Sequence, residues 1–359
     1  MVNNMKVCFA GGGTLGHVYP ALSIINDDSF KKENDIYYIG SIKGLEKELI
    51  NQSVNQDNII YVNIKGLDRR FMGININNLK LIKYYYESYK EIKKFYERIK
   101  PDLVVGMGGY ISYIAVKVAY KLKIKTIIHE QNGCFGLSNK LLINKVDKVL
   151  VSYKDLENTK NIIFTGNPRQ TEVHKKYLDI NIEKENTVLV VGGSRGAERI
   201  NEIIISMKDY FEKEKIFCTL ITGKKYYDEN IEKLNNVKSQ YFNIISFTNN
   251  LIYQLLVNKI VISRGGATTI SEISALNKPC IYIPSPNVTN DHQSKNVKSI
   301  VENKCGIMLE EGSMNKEKII NSIEELINNY TYYKQNLEAH NNIDSINEVI
   351  RICKEVANG

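Results

Sequence analysis

Residues 8–24, CFAGGGTLGHVYPALSI, decide how this chain is to be read. An apolar run ends in a glycine cluster, and an amphipathic helical pattern follows it. Such a passage opens a βαβ unit: the glycines let backbone approach a ligand, and the start of the helix offers unpaired N–H groups. Gly11, Gly13 and Gly16 also satisfy G-x-G-x-x-G, the dinucleotide fingerprint. That fingerprint needs an acidic residue roughly 20 positions on, at the end of the second strand, to hold a ribose. Here the second apolar run, DIYYIGS, ends at Gly40 and Ser41. His17 instead follows the third glycine at once, and Pro20 falls in the expected first helical turn. The loop therefore presents an imidazole. It is either a helix-start residue bonded to a neighbouring loop or a general base, because imidazole titrates near neutral pH.

The same plan recurs outward from this stretch. DLVVGMGGYISYIAVKVAY (102–120), TVLVVGGSRGAERINEII (187–204) and KIVISRGGATTISEI (259–273) each read as strand, glycine turn and helix. Strands alternating with helical patterns predict α/β architecture with parallel, doubly wound sheets. TGNPRQT (165–171) and the charged NIEKEN (181–186) interrupt the alternation before it restarts. A chain of 359 residues is long enough for two domains. We expect Rossmann-like domains over 1–165 and 166–343, and a final helix over 344–359 able to pack on either. Ligands of parallel sheets bind beyond the carboxyl ends of the strands. Four glycine turns at such ends predict a cleft between the domains for a phosphorylated ligand.

Composition narrows the class. A hydrophobic fraction of 43% and a charged fraction of 25% describe an ordinary globular protein. The net charge of +8 fits either a lysine-rich solvated surface or anionic partners. The six cysteines form no C-x-x-C pair and suit a reduced compartment as small core residues. No signal-like segment precedes the first strand, and no apolar run approaches the ~18 residues that span a bilayer. The expectation is a cytoplasmic or peripheral protein. Residues 79–100, LKLIKYYYESYKEIKKFYERIK, form a basic, aromatic helical pattern. It reads as an outer helix with aromatics inward, or as a face that touches anionic lipid.

Two stretches of the second half bear on ligand chemistry. In SRGGATTISEISALNKP (263–279), Thr269 and Glu272 have capping-box spacing; alternatively, Glu272 binds the two hydroxyls of a ribose. In TNDHQSKN (289–296), Asp291, His292 and Gln293 precede a helix, placed to cap it or to hold sugar hydroxyls. No D-x-D occurs, so helix starts and backbone N–H groups would stabilise a departing diphosphate.

Taken together, GGTLGHVYPAL (12–22), GMGGYIS (106–112), HEQNGCFGLSNKLL (129–142), TGNPRQTEV (165–173), GGSRGAERIN (192–201), SRGGATTISEISALNKP and DHQSKN (291–296) resemble the MurG family. These are the UDP-N-acetylglucosamine transferases of peptidoglycan synthesis. The motifs stand in family order over most of the chain, and HEQN, GLSNK and DHQ are more specific than any glycine loop. The resemblance implies a GT-B fold of two Rossmann-like domains. It implies inverting transfer of GlcNAc from UDP-GlcNAc to the 4-hydroxyl of MurNAc in undecaprenyl-diphosphoryl-MurNAc-pentapeptide (lipid I), giving lipid II. The C-terminal domain would hold the donor, and the final helix, 344–359, would cross back to the N-terminal domain. The N-terminal domain would take the acceptor and meet the anionic inner leaflet, at the cytoplasmic face of the membrane. No metal, cofactor or nucleic acid is implied.

Carried over by position, Thr14, Leu15 and Gly16 would line the donor diphosphate and sugar, with His17 as base. Asn132 would bind GlcNAc, Ser194 the diphosphate, and the backbone at Thr248 the uracil. Ala267, Thr268 and Thr269 would form the diphosphate site, Glu272 would meet the ribose and Gln293 the sugar. Glu130 and Tyr110 are acceptor-side candidates, with Glu130 a second catalytic candidate beside His17. Two positions depart from the family pattern. Leu15 replaces a glycine, which introduces strain if that position needs a positive φ. Arg169 stands one place earlier than the family arginine, within reach of the donor only through its length. Ile74, Leu79, Ile82 and Tyr85, with Lys80, Lys83 and Lys90, form the expected docking face. Rival readings are another GT-B transferase, a UDP-GlcNAc epimerase, a silent UDP-sugar-binding paralogue and, least of all, an NAD oxidoreductase.

Overall fold

The computed structural model describes residues 4–42, 46–64, 76–192, 197–341 and 343–359, the side chains of 76–80 excepted. The chain divides into two compact units, Met1–Thr171 with Ile343–Gly359, and Glu172–Asn342.

The first unit is built on β1 (Met5–Ala10), β2 (Asn34–Ser41), β3 (Ile59–Val62), β4 (Leu103–Gly106), β5 (Lys125–Glu130), β6 (Lys148–Val151) and β7 (Ile162–Phe164). These lie in the order β3-β2-β1-β4-β5-β6-β7 and every pairing is parallel. The second unit uses β8 (Thr187–Val191), β9 (Phe217–Ile221), β10 (Phe242–Ile245), β11 (Ile260–Ser263), β12 (Cys280–Tyr282) and β13 (Gly306–Met308). Its order is β10-β9-β8-β11-β12-β13, again all parallel. Both sheets are buried on both faces, as strands apolar at successive positions require. In β1, Val7 and Phe9 enter one core while Cys8 and Ala10 enter the core on the other face. In β8, Val188 and Val190 are divided in the same way from Leu189 and Val191.

The strand order fixes where ligands go. Winding proceeds outward from β1, then returns and proceeds the other way from β4, so neighbouring loops diverge at the β1/β4 junction. The second unit has the same switch between β8 and β11. The glycine turns after β1, β4 and β11 stand at these junctions, and β8 ends at Val191 beside the second.

Local structure departs from the sequence reading in three places. The first helix begins at Leu15, with Thr14 as its cap, so Pro20 lies inside it and not in its first turn. Proline's missing N–H leaves the Gly16 carbonyl without its helical donor. Leu15 is the first helical residue, and the positive φ in this loop belongs to Gly13, at 83°. The leucine is therefore unstrained. Finally, the break between units falls after Thr171, inside the helix Pro168–Tyr177, so Asn167 and Arg169 belong to the first unit.

The helix Ser345–Asn358 lies in the first unit. Ile346, Val349, Ile350, Ile352, Cys353 and Val356 enter the same core as Val7 and Phe9. Ser345 N donates to Thr171 Oγ1 at 2.9 Å, and Lys354 Nζ pairs with Glu33 at 2.7 Å. On the opposite face the long helix Ile76–Ile99 buries Ile92, Phe95, Tyr96 and Ile99. Among the described residues no helix is long and apolar enough to cross a membrane.

Candidate active site

His17 stands in the first turn of Leu15–Ile25, half-buried at the β1/β4 junction. Its Nδ1 lies 3.2 Å from Thr14 Oγ1 and 3.4 Å from Gly12 O. A carbonyl oxygen only accepts, so the Gly12 contact favours the proton on Nδ1, with Thr14 Oγ1 as a second acceptor, and this tautomer leaves the Nε2 lone pair bare among the described residues. The Cδ2–Nε2 edge faces Gly108, whose φ is 97°. A Cβ there would lie 2.8 Å from His17 Cδ2, so only glycine admits the ring. Loss of hydration in this packing lowers the His17 pKa, against the opposing pull of Glu130, the Gly12 carbonyl and Glu46. Burial thus favours the neutral ring over the imidazolium.

Glu46 is a residue that sequence reading missed. It is 1% exposed, and its Oε1 accepts from Gly13 N at 3.0 Å. A buried carboxylate beneath a phosphate-type loop fixes the turn and sets a negative charge near His17.

Glu130 ends β5, 3% exposed. It accepts from Asn132 N at 3.1 Å, Asn132 Nδ2 at 3.0 Å, Gly136 N at 2.8 Å and Asn139 Nδ2 at 2.9 Å. Four donors commit both oxygens to the turn that follows β5. Asn132 is thereby held in place beside the end of the strand. Tyr110 is the second residue of the helix Gly109–Lys121, half-buried. Arg169 N donates to Asn167 Oδ1 at 3.0 Å, and its guanidinium lies 4.5 Å from the centre of the Tyr19 ring. It therefore faces the His17 helix, on the first unit.

In the second unit, the helix Ala267–Ala275 starts directly after β11, with Gly266 as its cap. Thr269 is consequently inside the helix, and the capping box with Glu272 does not form. Glu272 is 5% exposed on this helix. Thr268 Oγ1 is buried without a protein partner among the described residues. Arg264 locks the turn through a two-pronged pair with Glu311 at 2.8 and 2.9 Å and a bond to Ile283 O at 3.1 Å. Asn296 Nδ2 donates to Gly265 O at 2.9 Å, which ties the helix His292–Glu302 to the same turn. Gln293, in the first turn of that helix, has its carbonyl beside Gly265, and its Oε1 accepts from Ser285 N at 2.8 Å. Thr248 lies apart, in the turn after β10, accepting from Asn250 N at 3.1 Å. Ser194 lies outside the described residues.

On the long helix, Ile82 is 65% and Tyr86 57% exposed, with Lys90 Nζ 4.5 Å from the Tyr86 ring centre. Lys83 pairs with Glu87 at 3.7 Å. Tyr85 faces inward instead, partly buried against the core with Lys117 Nζ 5.3 Å from its ring centre. Ile74 and the side chains of Leu79 and Lys80 lie outside the described residues.

Two family models match this chain. Residues 7–151 match the glycosyltransferase family 28 N-terminal domain, and residues 187–350 its C-terminal domain. A protein of Natranaerobius thermophilus is 36% identical over 98% of both chains. It is named UDP-N-acetylglucosamine–N-acetylmuramyl-(pentapeptide) pyrophosphoryl-undecaprenol N-acetylglucosamine transferase. The crystal structure of MurG from Acinetobacter baumannii superposes with a TM-score of 0.74 at 21% identity, covering 98% of this chain and 99% of that one. A UDP-GlcNAc 2-epimerase from Methanocaldococcus jannaschii gives 0.67 at 16% identity, covering 98% and 100%. The structural likenesses establish the GT-B fold, which transferases and epimerases share; the sequence relation separates them. The chain belongs to glycosyltransferase family 28, among the MurG-type N-acetylglucosamine transferases.

Proposed function

We propose that this protein transfers GlcNAc from UDP-GlcNAc to the 4-hydroxyl of MurNAc in undecaprenyl-diphosphoryl-MurNAc-pentapeptide, producing lipid II. The observation that carries the reading is the neutral His17, its Nδ1 tied to Gly12 and its Nε2 bare. Full-length similarity to transferases of that name supports the substrates. His17 Nε2 takes the proton of the acceptor hydroxyl. The hydroxyl oxygen bonds to C1 of GlcNAc as the bond from C1 to the diphosphate oxygen breaks. The electron pair leaves with UDP, and a single displacement inverts C1.

The remaining groups bind and orient. The backbone of Thr14, Leu15 and Gly16 and the hydroxyl of Ser194 serve the donor diphosphate and sugar. The helix start at Ala267, Thr268 and Thr269 offers N–H groups and a positive dipole end to the diphosphate. Thr268 Oγ1, buried and without a partner among the described residues, adds a donor there. Glu272 holds the ribose hydroxyls, the backbone at Thr248 the uracil, and Gln293 the sugar. Asn132 binds GlcNAc, and Glu130 acts by positioning Asn132 instead of by moving protons. Tyr110 is assigned to the acceptor side, and Arg169 to the donor side through the length of its guanidinium.

The enzyme works at the cytoplasmic face of the membrane, where its acceptor is anchored in an anionic leaflet. Ile82 and Tyr86 with Lys83 and Lys90 form the described part of the docking face. Replacing Ile82 and Tyr86 by serine and both lysines by glutamine should cut sedimentation with anionic vesicles severalfold. Equal sedimentation removes this face from the account.

The function itself is tested with radiolabelled UDP-GlcNAc and a lipid I analogue. Label should move into the lipid as a β-linked disaccharide. Free N-acetylmannosamine formed without acceptor would make the chain an epimerase, and binding without turnover would make it a silent paralogue.

A further inference from the structure

Gln131 follows Glu130 and is 2% exposed. Its Nε2 donates to Met107 O at 3.0 Å and lies 3.1 Å from His129 Nδ1. The other nitrogen of that ring, His129 Nε2, lies 3.1 Å from Gly166 O. A carbonyl only accepts, so His129 Nε2 carries the proton and its Nδ1 is bare. Burial keeps this ring neutral, its pKa pushed down to about 4. Both amide hydrogens of Gln131 therefore have acceptors in front of them. Exchanging its oxygen and nitrogen would set an oxygen against those same two acceptors, so the amide has one orientation.

That orientation turns Gln131 Oε1 away from His129. The atom is buried and has no hydrogen-bond partner among the described residues. Buried polar atoms are nearly always satisfied, and exceptions mark places where a partner appears in another state. What faces it is known from Gly108. The position of a Cβ there would lie 3.0 Å from His17 Nε2 and 3.5 Å from Gln131 Oε1. The bare edge of the base and the bare amide oxygen thus border one gap, which Gly108 keeps open.

We infer that Gln131 is a positioning residue for the transfer: its Oε1 accepts the Nε2–H that His17 gains on taking the acceptor's proton. The resting ring has a lone pair at Nε2, and a lone pair does not bond an amide oxygen. The pair therefore forms only after proton transfer, and stabilises the imidazolium without strengthening substrate binding. Gly166, His129 and Gln131 form the relay that aims the oxygen. The charged groups facing His17 are Glu130 at the end of β5 and Glu46 at the start of the helix Lys47–Ser53. Thr14 Oγ1 and Gly12 O face its Nδ1.

The inference rests on His17 being the base, and its test is chosen to be read without turnover. The full chain, with its histidines isotopically labelled, is titrated by NMR. In Gln131→Met, which keeps the volume and removes the acceptor, the His17 pKa should fall by about one unit. The acid limb of kcat/KM should move with it, and kcat should drop about tenfold with KM for UDP-GlcNAc unchanged. His129→Phe frees the amide to turn, so it should give the same shift, and the double variant no more than Gln131→Met alone. In the unmodified chain, the Nε2–H of protonated His17 should exchange slowly, which needs no variant to fold. A His17 pKa unchanged in folded Gln131→Met, or a fast-exchanging Nε2–H, overturns the inference. Loss of the functional reading would appear separately, as no acceptor-dependent transfer by the unmodified chain.

Discussion

The turns after β1 and β11 use one backbone device for two purposes. Each lies at a switch in strand order, and each runs through glycine into a helix start. Around the first stand His17, Glu46, Glu130 and the His129–Gln131 relay, all titratable or aimed by titratable groups. Around the second stand Thr268, Thr269, Glu272 and Gln293, with the carboxylate of Glu311 committed to Arg264. On the proposed reading, the difference separates moving a proton from gripping a nucleotide. A helix start supplies N–H groups for phosphate in either case; what lines it decides the chemistry.

Substitutions should therefore divide kcat from KM by unit. Gly108→Ala places a methyl against His17 at a φ of 97°. It should lower kcat about 100-fold, the scale of a misplaced reacting group, with donor binding intact. Equal loss of donor affinity would break the division. Glu272→Gln should do the reverse, raising KM for UDP-GlcNAc about tenfold, as expected for one charged hydrogen bond. A kcat effect larger than the KM effect would place Glu272 in the chemistry.

Acid should expose the first unit's dependence on neutral histidines. His129 falls from the usual value near 6.5 to about 4 in the folded chain. The unfolded chain therefore binds the extra proton first, and stability declines as pH drops from 6.5 toward 4. The full loss from this residue is about 3 kcal/mol. His17 and, in the second unit, His340 add losses of the same sign. Denaturant midpoints measured across this range check it, and His129→Phe, if folded, should flatten the slope by about one proton.

Much of this was legible in the sequence because continuous apolar runs and glycine exits are local signals. The strands, the parallel winding and the positions of both switch loops follow from them. His17 was legible because it follows the glycines directly. Glu46 was not: it sits in an amphipathic stretch with other carboxylates and lysines, and only the return of the chain after β2 carries it beneath Gly13. Glu130 was found, but its four donors were not; on the proposed reading they make it an anchor for Asn132 and not a proton carrier. Thr269 and Glu272 matched a capping box by spacing, yet the helix begins two residues earlier, at Ala267. Leu15 looked strained only while the start of its helix was unknown.

The measurement that tests the central claim most directly is acceptor-dependent UDP release by the unmodified chain and by His17→Ala. Both are assayed with a lipid I analogue at equal donor occupancy and in EDTA. The account predicts release by the unmodified chain only when acceptor is present. It predicts at least about a 100-fold lower rate for His17→Ala, the scale of a lost general base, with UDP binding retained. Equal rates in the two proteins would contradict His17 as the base, and UDP release indifferent to the acceptor would contradict the transferase itself.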